Sequence, residues 1–251
     1  MNKHLNIIIL AGTKADELRH EGDFPYYLTE ADGVPLIQSL IENCAYLNPD
    51  KIVCMFPVAE VNKYHLRNMV AQMHPAAVAH PVHESTMGAA CTALLASEDI
   101  DNDFELMIIS ANEILDEPFH KIITSFRAQD RDAGVVIFKS LHPRYAFVRL
   151  TDTADVIEAA EKNPISPHAV AGLYWFKQGK MFVEAVKHMI RKDAKVNGSF
   201  YIAPALNELV LQHKKIGAYR VEPAQYRPLK SAAQVHAYES HGSRDEHSKP
   251  W

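Results

Sequence analysis

Glu161 and Lys162 stand side by side in the stretch Val156–Phe176, just ahead of the turn at Asn163-Pro164. A carboxylate can accept from two hydroxyl groups at once, and an ammonium is a compact charge for a phosphate. The pair therefore has the residue types to hold a ligand carrying both. Taken alone, two opposite charges at a strand exit read as a solvated ion pair. After Ser166-Pro167 the chain re-enters as the alternating run Ala169–Phe176.

Other chemistry-bearing groups point elsewhere. Asp101-Asn102-Asp103 has the D-x-D form of a metal-binding pair, but it precedes its strand and reads as a solvated turn. His74, His80 and His83 lack zinc-type spacing and read as loop histidines among 14 in the chain. Gly12 and Lys14 make no P-loop, since no G-K-[ST] follows. Tyr26-Tyr27 reads as loop packing, with stacking on a base as the alternative. Cys44, Cys54 and Cys91 are too few and scattered for a disulfide frame and read as buried thiols.

The elements that must position these groups are legible from periodicity. Leu5–Leu10 is a short apolar run that predicts a strand buried on both faces, followed by the long charged loop 13–27. Further strands are predicted at 51–56, 76–82, 105–110, 134–138, 145–150 and 216–221. Helices are predicted at 36–47, 60–73, 119–130, 181–192 and 201–213, and a small-residue helix opens on Gly88. The fold class expected is α/β: a mixed, mostly parallel central sheet with helices on both faces and a small antiparallel subsheet. One domain is expected over 1–230, with a polar, disordered tail over 231–251.

A chain of 251 residues with 47% apolar and 23% charged residues supports a full core. The net charge of −5 argues against nucleic-acid binding and leaves room for a small anionic ligand. The opening apolar run is too short for a signal peptide or membrane span, so a cytoplasmic protein without a membrane partner is expected, with oligomerisation open. In an open α/β sheet, ligands bind beyond the carboxyl ends of the strands. The loop 12–27, the strand exit 110–116 and Glu161-Lys162 all map to that rim.

The order and spacing of these stretches resemble the sugar nucleotidyltransferases, which join a sugar 1-phosphate to a nucleoside triphosphate. The family's A-G-x-G-[ST]-R…P-K-P-L is similar to Ala11-Gly12…Pro25-Tyr26-Tyr27-Leu28, and G-K-P-M-I to Gly33-Val34-Pro35-Leu36-Ile37. I-A-N-S-D-Q-I-L is similar to Ile108–Leu115, and P-x-R-Y-G-V to Pro143–Val148. E-K-P…A-V-x-G-x-Y is similar to Glu161-Lys162-Asn163-Pro164…Ala169–Tyr174, and N-G-x-F-Y to Asn197–Tyr201. The resemblance spans residues 5 to 222. It implies that Glu161 bonds sugar hydroxyls, that Lys162 meets the sugar phosphate, and that Gly88 and Gly172 let a ligand approach the backbone. Gly12, Asn112, Ala146 and Tyr174 complete the substrate-binding set.

The nucleotide side departs from the pattern. The second loop glycine is Lys14, the loop arginine is Asp16, the lysine of P-K-P-L is Tyr26, and the metal-binding aspartate is Asn112. Lys14, Arg19 or His20 can substitute as loop cations, and Glu113 or Asp116 as carboxylates for Mg2+. Lys14, Arg19 and Lys162 are thus the catalytic candidates. The expected activity is a divergent nucleotidyl transfer between a nucleotide and a sugar phosphate in surface-polysaccharide synthesis. The alternatives are a catalytically inactive relative that binds a sugar phosphate or nucleotide sugar, and a metal-independent glycosyl transferase.

Overall fold

The protein is described here by a computed structural model covering residues 3–11, 24–83, 86–229 and 232–242. Among these residues nine strands form the main sheet: β1 (Leu5–Leu10), β2 (Lys51–Pro57), β3 (Ala77–Val82), β4 (Glu105–Ser110), β5 (Ala133–Lys139), β6 (Ala146–Leu150), β7 (Val156–Glu161), β8 (His168–Phe176) and β9 (Ile216–Arg220). The order is β7-β6-β8-β4-β1-β2-β3, with β5 on the other edge of β8 and β9 beside β5. β7 and β8 run against the other strands, so the sheet is mixed and mostly parallel. Two-stranded antiparallel ribbons lie outside it, one pairing Glu113–Leu115 with Tyr226–Pro228.

Alternation along the central strands explains the layers, because successive side chains point to opposite faces. Ile7, Ile9, Ile52, Cys54, Met107 and Ile109 face a core closed by α1 (Leu36–Ala45), α2 (Val58–Lys63) and α3 (Leu66–Met73) and the later helix Phe119–Ala128. Ile8, Leu10, Val53, Met55, Leu106 and Ile108 face the opposite core, beneath α4 (Ala89–Leu94). After α4 and the one-turn helix Ser97–Ile100 come, among the described residues, α5 (Phe119–Ala128), α6 (Gly179–Arg191), α7 (Ile202–Leu211) and α8 (Ala232–Gly242). α6 and α7 share the face of α4. Both faces of β1 are buried at all six positions, as its unbroken apolar run requires.

At the amino end of β4, Glu105 is 3% exposed and receives the Arg127 guanidinium at 2.6 Å and the Trp175 indole N–H at 3.1 Å. No helix among the described residues is long and apolar enough to cross a membrane.

Three expectations are corrected. The helix predicted over 60–73 is two helices, broken where His65 adopts φ 51°. His80 lies within β3 rather than in a loop. The tail expected without structure begins as α8, whose Val235 is buried in the core. Tyr238 packs there as well and lies under the Arg227 guanidinium, 5.9 Å from ring centroid to cation. Val235 and Tyr238 have i, i+3 spacing, a signal the polar composition around them conceals.

Candidate active site

β8 carries two strands in succession along one edge. β4 pairs with it from Leu173 to Phe176, and β6 reaches it at Ala169. Between these points the register of β8 against β5 shifts, and Gly172 adopts φ +68°. A side chain there would collide with Glu113, whose Cγ lies 2.4 Å from the position of a Cβ on Gly172. Glu113 comes from the exit of β4. It is 6% exposed and accepts a hydrogen bond from the Tyr226 hydroxyl. Tyr226 packs against Phe138 at 4.3 Å and Tyr145 at 6.0 Å between ring centroids.

At the other side of this gap, Glu161 at the end of β7 pairs with Ala146 at the start of β6. Lys162 follows with φ +55°, a left-handed turn, and its N–H donates to Tyr145 O at 3.0 Å. Its ammonium donates to the Tyr201 hydroxyl at 3.0 Å and lies 5.1 Å from that ring's centroid. Tyr174 belongs to the same neighbourhood. Burial pushes its phenol well above the usual range, with further contributions from Glu161 and Glu113. The fold thus gathers Ala146, Glu161, Lys162, Gly172 and Tyr174 with Glu113 at one rim. Sequence reasoning missed Tyr226, which arrives from a strand far along the chain and carries no local signal. Tyr201 had one, the end of the N-G-x-F-Y match.

The two glycines assigned to ligand approach each face the protein's own atoms on the side where a Cβ would lie. Gly172 makes room for Glu113, as above. Gly88 has φ +109°, and a Cβ there would lie 2.5 Å from Phe200 O. Phe200 N–H donates to Met87 O at 2.7 Å and Ala90 N–H donates to Phe200 O at 3.1 Å. Gly88 therefore joins the start of α4 to the segment before α7.

On the nucleotide side, Gly12, Lys14, Asp16, Arg19 and His20 lie outside the described residues. Tyr26 and Tyr27 pack as expected, at 4% and 1% exposure. The Tyr26 hydroxyl donates to Ala11 O at 3.2 Å, where β1 ends. Tyr27 donates to Glu60 at 2.6 Å and lies against Phe56. The place of a phosphate-binding lysine is thus taken by a buried phenol bonded to backbone.

The exit of β4 offers a poor set of donors for Mg2+, a cation that favours anionic oxygens in octahedral array. Asn112 is neutral. Glu113 is covered by Tyr226 and Gly172. Asp116 is held by Arg227 at 2.7 Å rather than left for a metal. Among the described residues no group of three His, Cys, Asp or Glu can hold a metal ion. Asp101 and Asp103 pair with Lys187 and Lys180 at the amino end of β4, so the D-x-D stretch is a surface turn. Cys44 and Cys54 are buried, whereas Cys91 is only half-buried, contrary to expectation.

A family model described as nucleotidyl transferase matches residues 8–220. The chain belongs to the nucleotidyl transferase family. Its fold is similar to that of a nucleoside-diphosphate-sugar pyrophosphorylase from Vibrio cholerae, with TM-score 0.79, 21% identity, and coverage of 93% of this chain and 99% of that one. It is also similar to the inositol-1-phosphate CTP transferase from T. maritima, with TM-score 0.72, 12% identity and 98% coverage of both chains. A comparison with curated protein sequences gives no match.

Proposed function

We propose that this nucleotidyl transferase acts on a nucleotide and a sugar phosphate or closely related phosphorylated polyol. The reading is supported by the end of β7 at Glu161, paired with Ala146, so that Glu161 and Lys162 leave the strand together at the rim of the sheet. The two fold relatives act, by their names, on a nucleoside-diphosphate sugar and on inositol 1-phosphate, which is the same ligand class. In this reaction an oxygen of the sugar phosphate attacks the α-phosphorus of the triphosphate. A new P–O bond forms, the α–β bridge breaks, and pyrophosphate leaves with the electron pair. Glu161 orients the polyol by accepting from its hydroxyls, and Lys162 balances charge on the attacking phosphate. We place the nucleotide-sugar product in the supply of surface-polysaccharide precursors.

The test incubates the full chain with each nucleoside triphosphate and a panel of sugar 1-phosphates, with and without magnesium, and reads pyrophosphate. Release is expected with at least one pair, with a loss of about a hundredfold in Lys162→Ala. No release with any pair, in protein shown to be folded, overturns the enzymatic reading.

A second reading is supported by the neutral Asn112 and the buried Tyr26: a catalytically inactive relative that binds a nucleotide sugar. It predicts a higher melting temperature with a nucleotide sugar and none with triphosphate plus magnesium. A magnesium-dependent shift with triphosphate would count against it.

A further inference from the structure

We propose that α7 is the positioning element for Lys162, acting through Tyr201 at its start and Asn207 in its middle. This deepens the functional reading above and rests on it for the meaning of Lys162 in a reaction.

A lysine at a strand exit has a four-carbon stem and about 2 kcal/mol of rotamer entropy to lose when it is held. Two features limit where this one points. Its backbone turns left-handed at φ +55°, directly after β7 ends at Glu161. Tyr201 then supplies a hydroxyl acceptor at 3.0 Å, with its ring centroid 5.1 Å from the ammonium. Tyr201 occupies the residue before α7 in extended conformation, and its side chain makes no capping hydrogen bond to the helix. Its hydroxyl is committed to the lysine instead.

Tyr201 is held from both sides: Phe200 before it is bonded to Met87 and Ala90, and α7 after it is attached to β7. Ala159 N–H donates to Asn207 Oδ1 at 2.8 Å, and Asn207 Nδ2 donates to Ala159 O at 2.8 Å. One side-chain amide therefore satisfies both backbone groups of Ala159, as a neighbouring strand would. The spacings agree along the two elements. From Ala159 to Lys162 a strand advances about 10 Å, and from Tyr201 to Asn207 a helix advances about 9 Å. Pinning Asn207 at Ala159 thus sets Tyr201 level with Lys162. An unpinned α7 would still be held by its buried Ile202, Leu206 and Leu209 and by the bonds of Phe200 at its start, but would lose the contact that fixes its register against β7.

The experiment measures the accessibility of the Lys162 ammonium itself, so that it needs no substrate. The full chain is pulse-labelled with limiting acetic anhydride, and acetylation at each lysine is read by peptide mass spectrometry. Tyr201→Phe keeps the ring, Tyr201→Leu removes it, Asn207→Ala unpins the helix, and Asn207→Asp keeps the acceptor for Ala159 N–H. Lys162 labelling is expected to rise by about threefold in Tyr201→Phe, which removes the hydroxyl acceptor. A larger rise is expected in Tyr201→Leu, an intermediate one in Asn207→Ala, and partial return in Asn207→Asp. Lys51, paired with Asp99 on the far side of the sheet, should label at an unchanged rate. Unchanged Lys162 labelling in both Tyr201 variants at wild-type melting temperature overturns the proposal, as does a uniform rise at every lysine. In the activity assay, Tyr201→Phe should have no further effect in a Lys162→Ala background. A labelling response without nucleotidyl transfer would refute the proposed reaction alone. Transfer that depends on Lys162 without a labelling response would refute the positioning role alone.

Discussion

Replacing Gly172 with alanine tests the arrangement at the centre of the site. Two costs arise there and they can be separated. The backbone has φ +68°, where an L side chain costs about 1 kcal/mol relative to glycine. The added methyl also falls 2.4 Å from Glu113 Cγ and 2.8 Å from its Cδ, far inside van der Waals contact. Glu113 is buried and bonded to Tyr226, so it yields only by giving up that bond or shifting its own strand. Overpacking of this kind costs roughly 1–3 kcal/mol. The sum is about 3 kcal/mol, a fall in melting temperature of about 6–12 °C for a chain of this size. Gly33 provides the control, since it has φ +72° but nothing within 4 Å of an added Cβ. Gly33→Ala should show the backbone cost alone, about 1 kcal/mol. In a Glu113→Ala background, Gly172→Ala should lose at least about 1 kcal/mol of its penalty. Urea denaturation of the four variants measures all of this. If Gly172→Ala costs no more than Gly33→Ala, or costs the same with and without Glu113, the described geometry is wrong.

Other outcomes follow from the same structure. Glu105→Ala removes the partner of Arg127 and Trp175 and should lower the unfolding free energy by about 3 kcal/mol, read from the urea midpoint; a change under about 1 kcal/mol would show the pair to be dispensable. Tyr27, Tyr174 and Tyr226 have phenols pushed above their ordinary value of 10.0, chiefly by burial. Because the folded values exceed the unfolded one, the stability they contribute is intact below pH 10 and is lost as pH rises beyond it. Phenolate absorbance from these three should therefore appear only with unfolding, and titration of all 10 tyrosines in folded protein would contradict their burial. Asn112→Asp places an anionic oxygen at the exit of β4, so magnesium should raise the melting temperature of that variant by about 2 °C or more while leaving the wild type unmoved. An equal magnesium response in both would show that position 112 does not decide metal binding.

Much of this was legible wherever local pattern and fold agree. The apolar run Leu5–Leu10 forms a strand over the same six residues, because only a doubly covered strand can bury such a run. Glu161-Lys162 does stand at a strand exit, and Asp101–Asp103 is a surface turn at the amino end of its strand. What was not legible shares a cause, which is that long-range packing leaves little trace in local composition. Gly88 and Gly172 announce a close approach, but the sequence does not say whether ligand, backbone or side chain approaches. Their occupants, Phe200 and Glu113, are brought in by distant strands and helices. Asp116 reads as a spare carboxylate until Arg227 arrives beside it. In α8, two apolar residues within a polar stretch suffice for docking, because the rest of the core is already present to receive them.

The ribbon that pairs Tyr226–Pro228 with Glu113–Leu115 also bears on how the protein is made. Glu113 leaves the ribosome well before the residue that covers it, since the two bonded side chains are 113 residues apart. At about 5–20 residues per second that interval is roughly 6 to 23 s. During it the parallel core strands β1 to β4 are already available, while the carboxylate at the exit of β4 still lacks its tyrosine. A nascent chain halted before Tyr226 can therefore assemble most of the sheet without finishing this rim, so the site matures after the strands that carry it.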